Sequence, residues 1–196
     1  MPASSRYGRG MTDLHNAPLR EPAQIPEQGP FGEASKPAYE LAQINIGRFR
    51  LPPEHVANRD FMDALDHVNA VAEAADGFVW RLTGEGNNAT DVPVTDDPHL
   101  IANMSVWRDI DALAAYVYRT PDHLTIMKRR KEWFDHMAVY QALWWVPAGH
   151  RPTVAEGMAR IAMIEANGPT AEAFTFKRPF ATPDGTPARP VQDECA

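Results

Sequence analysis

The sequence predicts an α+β protein of the ferredoxin-like type, in which a βαββαβ chain forms one antiparallel sheet with helices on one face. Two observations carry this prediction. Segments with strand-like and helix-like hydrophobic spacing follow one another in the order strand, helix, strand, strand, helix, strand. The helical segments also begin or end at residues that favour helix termini. A further helix and a closing strand are predicted after this unit.

The strands are predicted from short apolar runs bounded by turn residues, over 39–48, 77–84, 99–107 and 138–147. Asn58 is predicted to cap a first helix with apolar residues at spacings of three and four, which Asp76-Gly77 ends. A short helix over 109–119 and a longer one from Pro121 to about Met137 lie between the last two strands.

The added segment begins at Thr153 and Glu156, whose spacing is that of a capping box, and its helix is predicted to end at Asn167-Gly168-Pro169. Residues 173–180 have the pattern of a closing strand. The predicted domain therefore covers residues 37–180. The proline-rich residues 1–36 are expected to form a flexible or partner-contacting arm, and residues 181–196 a flexible tail.

Composition excludes several classes of function. The chain of 196 residues carries a formal charge of −7, which argues against nucleic acids and anionic membranes as partners. No apolar run approaches the roughly 20 residues that a membrane-spanning helix needs. The single cysteine, Cys195, cannot form an internal disulfide, so we expect a cytoplasmic protein.

One side of the predicted sheet is neutral although a face in contact with water should carry charges. Amides and a hydroxyl occupy alternate positions on three strands, at Gln43, Asn45, Asn103, Ser105 and Gln141. We interpret this side as one that a second copy of the chain covers, which would make a dimeric α/β barrel around a polar-lined cavity. Trp80 and Trp145 are expected to wall that cavity. The alternative is that the amides satisfy one another across the interface.

The helix from Pro121 places His123 and Arg130 on its apolar side. His123 lies near the helix N-terminus, which disfavours the imidazolium form. It could be a structural histidine, a general base, or a ligand of haem or a metal. Arg130 could belong to a structural ion pair or recognise an anion. The histidine spacing matches no protein-only metal site, and no nucleotide-binding or nucleophile-elbow motif occurs.

The segments HLTIMKRRKEWFDHM, ALWWVPAGHRPTVAEGMARI and NGPTAEAFTF resemble the bacterial family catalogued as domain of unknown function 3291, over roughly residues 39–178. The resemblance implies a dimeric α/β-barrel fold related to antibiotic-biosynthesis monooxygenases and haem-handling enzymes. The residues that match the family's recurring pattern are His123, Arg129, Arg130, Trp133, Phe134, Trp144, Trp145, Pro147, His150, Pro152, Glu156, Gly168 and Phe174.

Three functions follow as hypotheses. The first is a homodimeric enzyme or binder of secondary metabolism, with oxygenase or isomerase chemistry on an aromatic or polyketide-like molecule and no cofactor. His123 and Arg130 would be its catalytic residues, and its substrate-binding residues would be Gln43, Asn45, Trp80, Asn103, Ser105, Gln141 and Trp145. The second is haem binding through His123, with Arg130 near a propionate. The third is a non-catalytic dimeric binding or scaffold protein.

Overall fold

The computed structural model describes residues 37–191 and contains one four-stranded antiparallel sheet. The strands are β1 (Tyr39–Arg48), β2 (Phe78–Arg81), β3 (Leu100–Trp107) and β4 (Gln141–Pro147). Their order in the sheet is β2-β3-β1-β4, and every neighbouring pair is antiparallel. This order is that of a split βαβ unit, so the prediction of a ferredoxin-like α+β fold is confirmed. The predicted arm over 1–36 and residues 192–196 lie outside the described residues.

Within residues 37–191, four α-helices accompany the sheet: α1 (Arg59–Glu73), α2 (Ile110–Arg119), α3 (Pro121–Trp133) and α4 (Val154–Asn167). A short 3₁₀ turn, Val56–Asn58, precedes α1. Side chains of α1 and α2 form a core cluster with Leu41, Trp107 and Leu143 of the sheet. Side chains of α4 form a second cluster with alternate residues of the same strands, among them Ile44 and Met104. The helices of the ferredoxin-like unit and α4 therefore cover opposite faces of the sheet.

The start of α4 forms the predicted capping interaction in part. The Thr153 side chain accepts a hydrogen bond from the Glu156 backbone N–H at 3.2 Å. The Glu156 carboxylate does not return to Thr153, because its two oxygens accept from Trp144 Nε1 at 3.2 Å and pair with His150 Nε2 at 2.9 Å. The capping residue thus starts the helix, and the carboxylate attaches its first turn to β4.

The sequence interpretation assigned the wrong cover to the neutral face of the sheet. The face that carries Gln43 and Ser105 is covered by the chain's own helices α1, α2 and α3, and not by a second copy. The prediction of a second copy rests on the rule that a sheet face in contact with water carries charged residues. Here α4, which comes from the segment after the βαββαβ unit, takes the more apolar side instead. The polar residues of the neutral side do not pack directly against the helices, because a cavity lies between them.

Several boundaries also differ from the predictions. Residues 173–180 are not a strand: Phe174 makes one bridge to Leu143, with hydrogen bonds of 2.8 and 2.9 Å in the two directions. Helix α3 ends at Trp133 because Phe134 is extended and pairs with Phe49. Packing continues beyond residue 180, since Ala188 and Val191 contact the α1–α2 core cluster.

Candidate functional site

A cavity of about 530 Å³ lies between the neutral face of the sheet and helices α1, α2 and α3. Its volume falls in the range of sites for small organic ligands. The sheet contributes its floor, and α1 contributes an apolar wall that includes Phe61, Leu65 and Val68. Helix α3 contributes His123, Ile126, Met127 and Arg130. The site is therefore built from one chain.

The floor of the cavity consists of two rows of polar side chains that the strand register sets. Gln43 of β1 lies opposite Ser105 of β3, and two residues along, Asn45 lies opposite both Asn103 and Gln141. Because alternate residues of a strand point to the same face, both rows face the cavity. Gln43 is central, since its Nε2 donates to Ser105 Oγ at 2.9 Å and to Asn103 Oδ1 at 3.0 Å. Its Oε1 accepts from Asn45 Nδ2 at 3.2 Å.

The inner end of the cavity is closed by aromatic rings. Trp107 stacks on Tyr116 with ring centroids 5.2 Å apart, and Tyr116 lies against the imidazole of His123 at 4.8 Å. Trp107 Nε1 donates to Ser105 Oγ at 2.8 Å, and the Tyr116 hydroxyl donates to the Val68 carbonyl at 3.2 Å. Burial raises the pKa of Tyr116, so this phenol stays neutral. These contacts connect His123 through packed rings to the polar floor.

His123 is held in one orientation. Its Nδ1 lies 3.1 Å from the Val117 carbonyl oxygen, which can only accept a hydrogen bond. Nδ1 therefore carries the proton, and the lone pair of Nε2 in the neutral ring accepts no hydrogen bond from the described residues. Burial lowers the pKa of His123 below its usual value, although the hydrogen bond to Val117 opposes this shift. The neutral ring with a basic Nε2 is the form present near pH 7.

Two buried polar groups at the cavity have hydrogen-bonding capacity that residues 37–191 do not use. Ser105 is 6% exposed, and its oxygen accepts from two donors, Gln43 and Trp107, which leaves its own hydrogen without an acceptor. Asn69 of α1 is 7% exposed and has no side-chain hydrogen bond to the described residues. Buried polar groups are almost always paired in proteins, so unused groups on a cavity wall indicate a bound molecule or water.

A buried cation, Arg81, lines the same cavity beside Ser105. The bulge in β2 between Phe78 and Trp80 brings Arg81 opposite Ser105, and only 8% of its side chain is exposed. Arg81 Nε donates to Glu73 at 2.7 Å and Nη2 donates to Asn87 at 3.4 Å. Its Nη1 is buried and has no hydrogen-bond partner in the described part of the chain. Glu73 therefore neutralises the charge of Arg81, and one of the arginine's N–H groups at the cavity lining is left without a partner among these residues.

The structure brings seven of the nine predicted site residues to this one cavity: Gln43, Asn45, Asn103, Ser105, His123, Arg130 and Gln141. The expectation that Trp80 and Trp145 wall it is wrong. Trp80 packs with the α4 core cluster on the opposite face. Trp145 packs with Phe174, and its Nε1 donates to the Phe180 carbonyl at 2.9 Å.

Sequence reasoning missed Asn69, Arg81 and Tyr116. Asn69 could have been found, because it interrupts the apolar side of α1 at four residues from Leu65 and three from Ala72. Arg81 could not have been found, because regular alternation along β2 would not place it opposite Ser105. Only the bulge between Phe78 and Trp80 does so. Residues 37–191 contain no group of three or more potential ligands placed to hold a metal ion. In the same range, no helix is long and apolar enough to cross a membrane.

The fold and the cavity define a class: a ferredoxin-like α+β protein with a ligand-sized chamber between its sheet and its helices. The chain belongs to the family described as Domain of unknown function (DUF3291), whose model matches residues 40–190. No curated protein matches the chain.

Among solved structures, similarity extends to Rv0793 from Mycobacterium tuberculosis, with 17% identity and a TM-score of 0.41 over 58% of this chain and 99% of that chain. A putative antibiotic biosynthesis monooxygenase from Nitrosomonas europaea has 11% identity and a TM-score of 0.40, over 59% of this chain and 95% of the other. The cofactor-independent oxygenase SnoaB from Streptomyces nogalater has 19% identity and a TM-score of 0.37, over 59% and 97%.

Proposed function

We propose that this protein binds an aromatic or polyketide-like small molecule in the cavity and that His123 acts on it as a general base. The observation that carries this proposal is the fixed orientation of His123 together with its neutral form. Its Nδ1 is bound to the Val117 carbonyl, its pKa is lowered by burial, and its ring lines a polar cavity. A base that is neutral at pH 7 and held in one orientation suits proton removal from a weakly acidic substrate.

The surrounding groups fit a carbonyl compound with an acidic C–H bond. His123 Nε2 removes the proton, and the negative charge that develops on the carbonyl oxygen is stabilised by the Ser105 hydroxyl and the Asn69 amide. Arg81, which also lines the cavity, can donate an N–H group to the same oxygen. The resulting carbanion is reprotonated at another atom, which is isomerisation, or reacts with dioxygen. In the second case a CH₂ group and O₂ yield a C=O group and water, and no cofactor is needed for the atom balance.

The test uses 1,8-dihydroxy-9-anthrone, which has such a CH₂ group, and compares wild type with His123→Asn. The asparagine amide can keep a donor to Val117 but supplies no base. We expect the enzyme-dependent rate of anthraquinone formation to fall at least about 100-fold, the usual lower range for a lost general base. Absorbance and oxygen uptake measure the rate against spontaneous oxidation. His67→Asn, an exposed histidine that pairs with Asp122 at 3.3 Å, is the matched control.

The pH dependence gives a second readout of the same variant. Because burial lowers the pKa of His123, the neutral ring predominates around pH 7, so kcat/KM stays level near neutrality and falls at a lower pH than an ordinary histidine would give, as the imidazole is protonated. An unchanged rate in His123→Asn, or a rate that rises with acid, would remove His123 from the reaction. If anthrone binds but only shifts a proton without oxygen uptake, isomerisation is the supported chemistry.

Haem binding is a second candidate because the His123 geometry also suits a ligand. Histidines that bind metals commonly donate their other ring N–H to a carbonyl or carboxylate, as Nδ1 does here to Val117. Titration with haemin would then shift the Soret band in wild type and not in His123→Asn. A flat titration in wild type removes this candidate without affecting the first.

We also propose a cytoplasmic homodimer. A second copy cannot cover the cavity face in the way first expected, because α1, α2 and α3 occupy it. Contact between copies would instead use the outer side of α4, where Met163 is 37% exposed. Sedimentation equilibrium of the full chain tests the dimer, and a monomer mass over the accessible concentration range would contradict it.

A further inference from the structure

The end of the cavity near the C-terminal end of β1 is lined by positive charge, although the whole chain carries −7. We call the three side chains Arg50, Arg130 and Lys131 the cationic rim. All three line the cavity, and Arg50 lies against the last turn of α3, since its backbone N–H donates to the Trp133 carbonyl at 2.9 Å and its Nη1 donates to the Lys131 carbonyl at 3.4 Å. The one carboxylate among the lining residues is Asp135, and it is bound to Arg48 at 3.0 Å.

Arg130 differs from its neighbour Arg129 in how its charge is satisfied. Arg129 donates to Glu132 at 2.8 Å and to Asp60 at 2.9 Å, as an ordinary surface ion pair. Arg130 lies over the Tyr140 ring, 4.6 Å from its centroid, and has no carboxylate within 4 Å among residues 37–191. A guanidinium stacked on a ring keeps its in-plane N–H groups for hydrogen bonds.

The other two members of the cationic rim also lack a carboxylate partner. Within the described residues neither Arg50 nor Lys131 forms an ion pair, and both line the cavity, where the lining carboxylate Asp135 is already bound to Arg48. A group of unneutralised cations at a cavity opening raises the local concentration of anions and favours an anionic ligand. The geometry of a guanidinium matches the two oxygens of a carboxylate.

We infer that the molecule bound in this cavity carries a carboxylate, which Arg130 binds together with Arg50 and Lys131. This inference rests on the proposed function and specifies its substrate class as an aromatic acid. Gly47, beside the rim, lies four residues along β1 from Gln43, which is roughly 13 Å of strand. A fused-ring acid anchored at the rim would therefore extend over Asn45, Asn103 and Gln141 toward Ser105 and His123.

The experiment compares two fluorescent probes that share a ring and a hydroxyl group: 6-hydroxy-2-naphthoate, which is anionic, and 2-naphthol, which is neutral. Titration of the full chain at low salt should show the naphthoate binding at least about tenfold more tightly, since one charge-assisted hydrogen bond is worth that factor or more. Arg130→Gln should remove this preference and leave the affinity for 2-naphthol unchanged. Arg50→Gln should reduce it less, and both variants are checked for native far-UV circular dichroism.

Arg129→Gln is the matched control, because it removes the same charge from the adjacent position, where the side chain is paired on the surface. It should retain the preference for the naphthoate. Equal binding of both probes to wild type, or a preference that survives in both Arg130→Gln and Arg50→Gln, would overturn the carboxylate site and leave the proposed use of His123 intact. Binding of neither probe would overturn the aromatic-ligand proposal and this inference with it.

Discussion

On the α4 side of the sheet, Ile44 and Met104 are fully buried, and a Cβ atom placed on Gly157 of the helix would lie only 2.7 Å from Ile44 Cδ1. One residue along each strand, Gln43 and Ser105 face a cavity of about 530 Å³. One face of the sheet thus packs directly against α4, and the cavity separates part of the other face from α1, α2 and α3. The difference teaches that a neutral polar row on a strand can mark a cavity inside a single chain rather than an interface between chains.

The largest expected effect comes from a tryptophan on the packed face. Trp144 is 1% exposed and its Nε1 donates to Glu156. We expect Trp144→Ala to lower the free energy of unfolding by about 3–5 kcal/mol, as measured by guanidinium unfolding. Trp145→Ala, a half-buried tryptophan on the other face, should cost less. If the two variants lost equal stability, the loss would not follow the difference in burial between the two tryptophans.

A smaller loss is expected from overpacking the contact between α4 and the sheet. Gly157→Val adds a branched side chain where Ile44 and Met104 leave no room, so we expect a loss of about 1–3 kcal/mol in the same assay. Ala159→Val controls for the helix propensity of valine, because Ala159 is exposed on the same helix. A Gly157→Val variant as stable as the control would show that α4 can move away from the sheet at little cost.

The smallest effect is expected on the cavity side. Asn69→Leu removes an amide that has no hydrogen bond to the described residues and adds apolar volume to the cavity wall, so stability should change by less than about 1 kcal/mol or rise. Asn58→Leu is the contrast: Asn58 is 2% exposed and donates to the Pro52 carbonyl at 2.8 Å. That variant should lose about 1–3 kcal/mol. A similar loss in Asn69→Leu would assign Asn69 a structural role.

Much of this architecture could be predicted from local pattern. The first strand is found at the predicted residues 39–48, and Thr153 caps α4 as its spacing indicates. The polar row Gln43, Asn45 and Ser105 could be recognised because strand alternation alone assigns these residues to one side. Local pattern could not decide which helices cover that side, since the answer depends on a segment more than 100 residues away from β1 in the chain.

The misplacement of Trp80 and Trp145 has separate physical causes. The bulge after Phe78 reverses the expected alternation in β2, so Trp80 faces α4 and Arg81 faces the cavity. Trp145 lies on the expected face, but Phe174 and the Phe180 carbonyl cover it. The positions of both tryptophans depend on backbone geometry that the hydrophobic periodicity of the sequence does not predict.

The single bridge between Phe174 and Leu143 lies on β4, which is the outer strand of the sheet on that side. By pairing with the middle of this strand, the returning chain occupies hydrogen-bonding groups that another extended chain would otherwise use. At the opposite margin, β2 is only four residues long and offers little length for such pairing. The protein is thereby protected at both margins against the strand-by-strand growth that leads to fibrils.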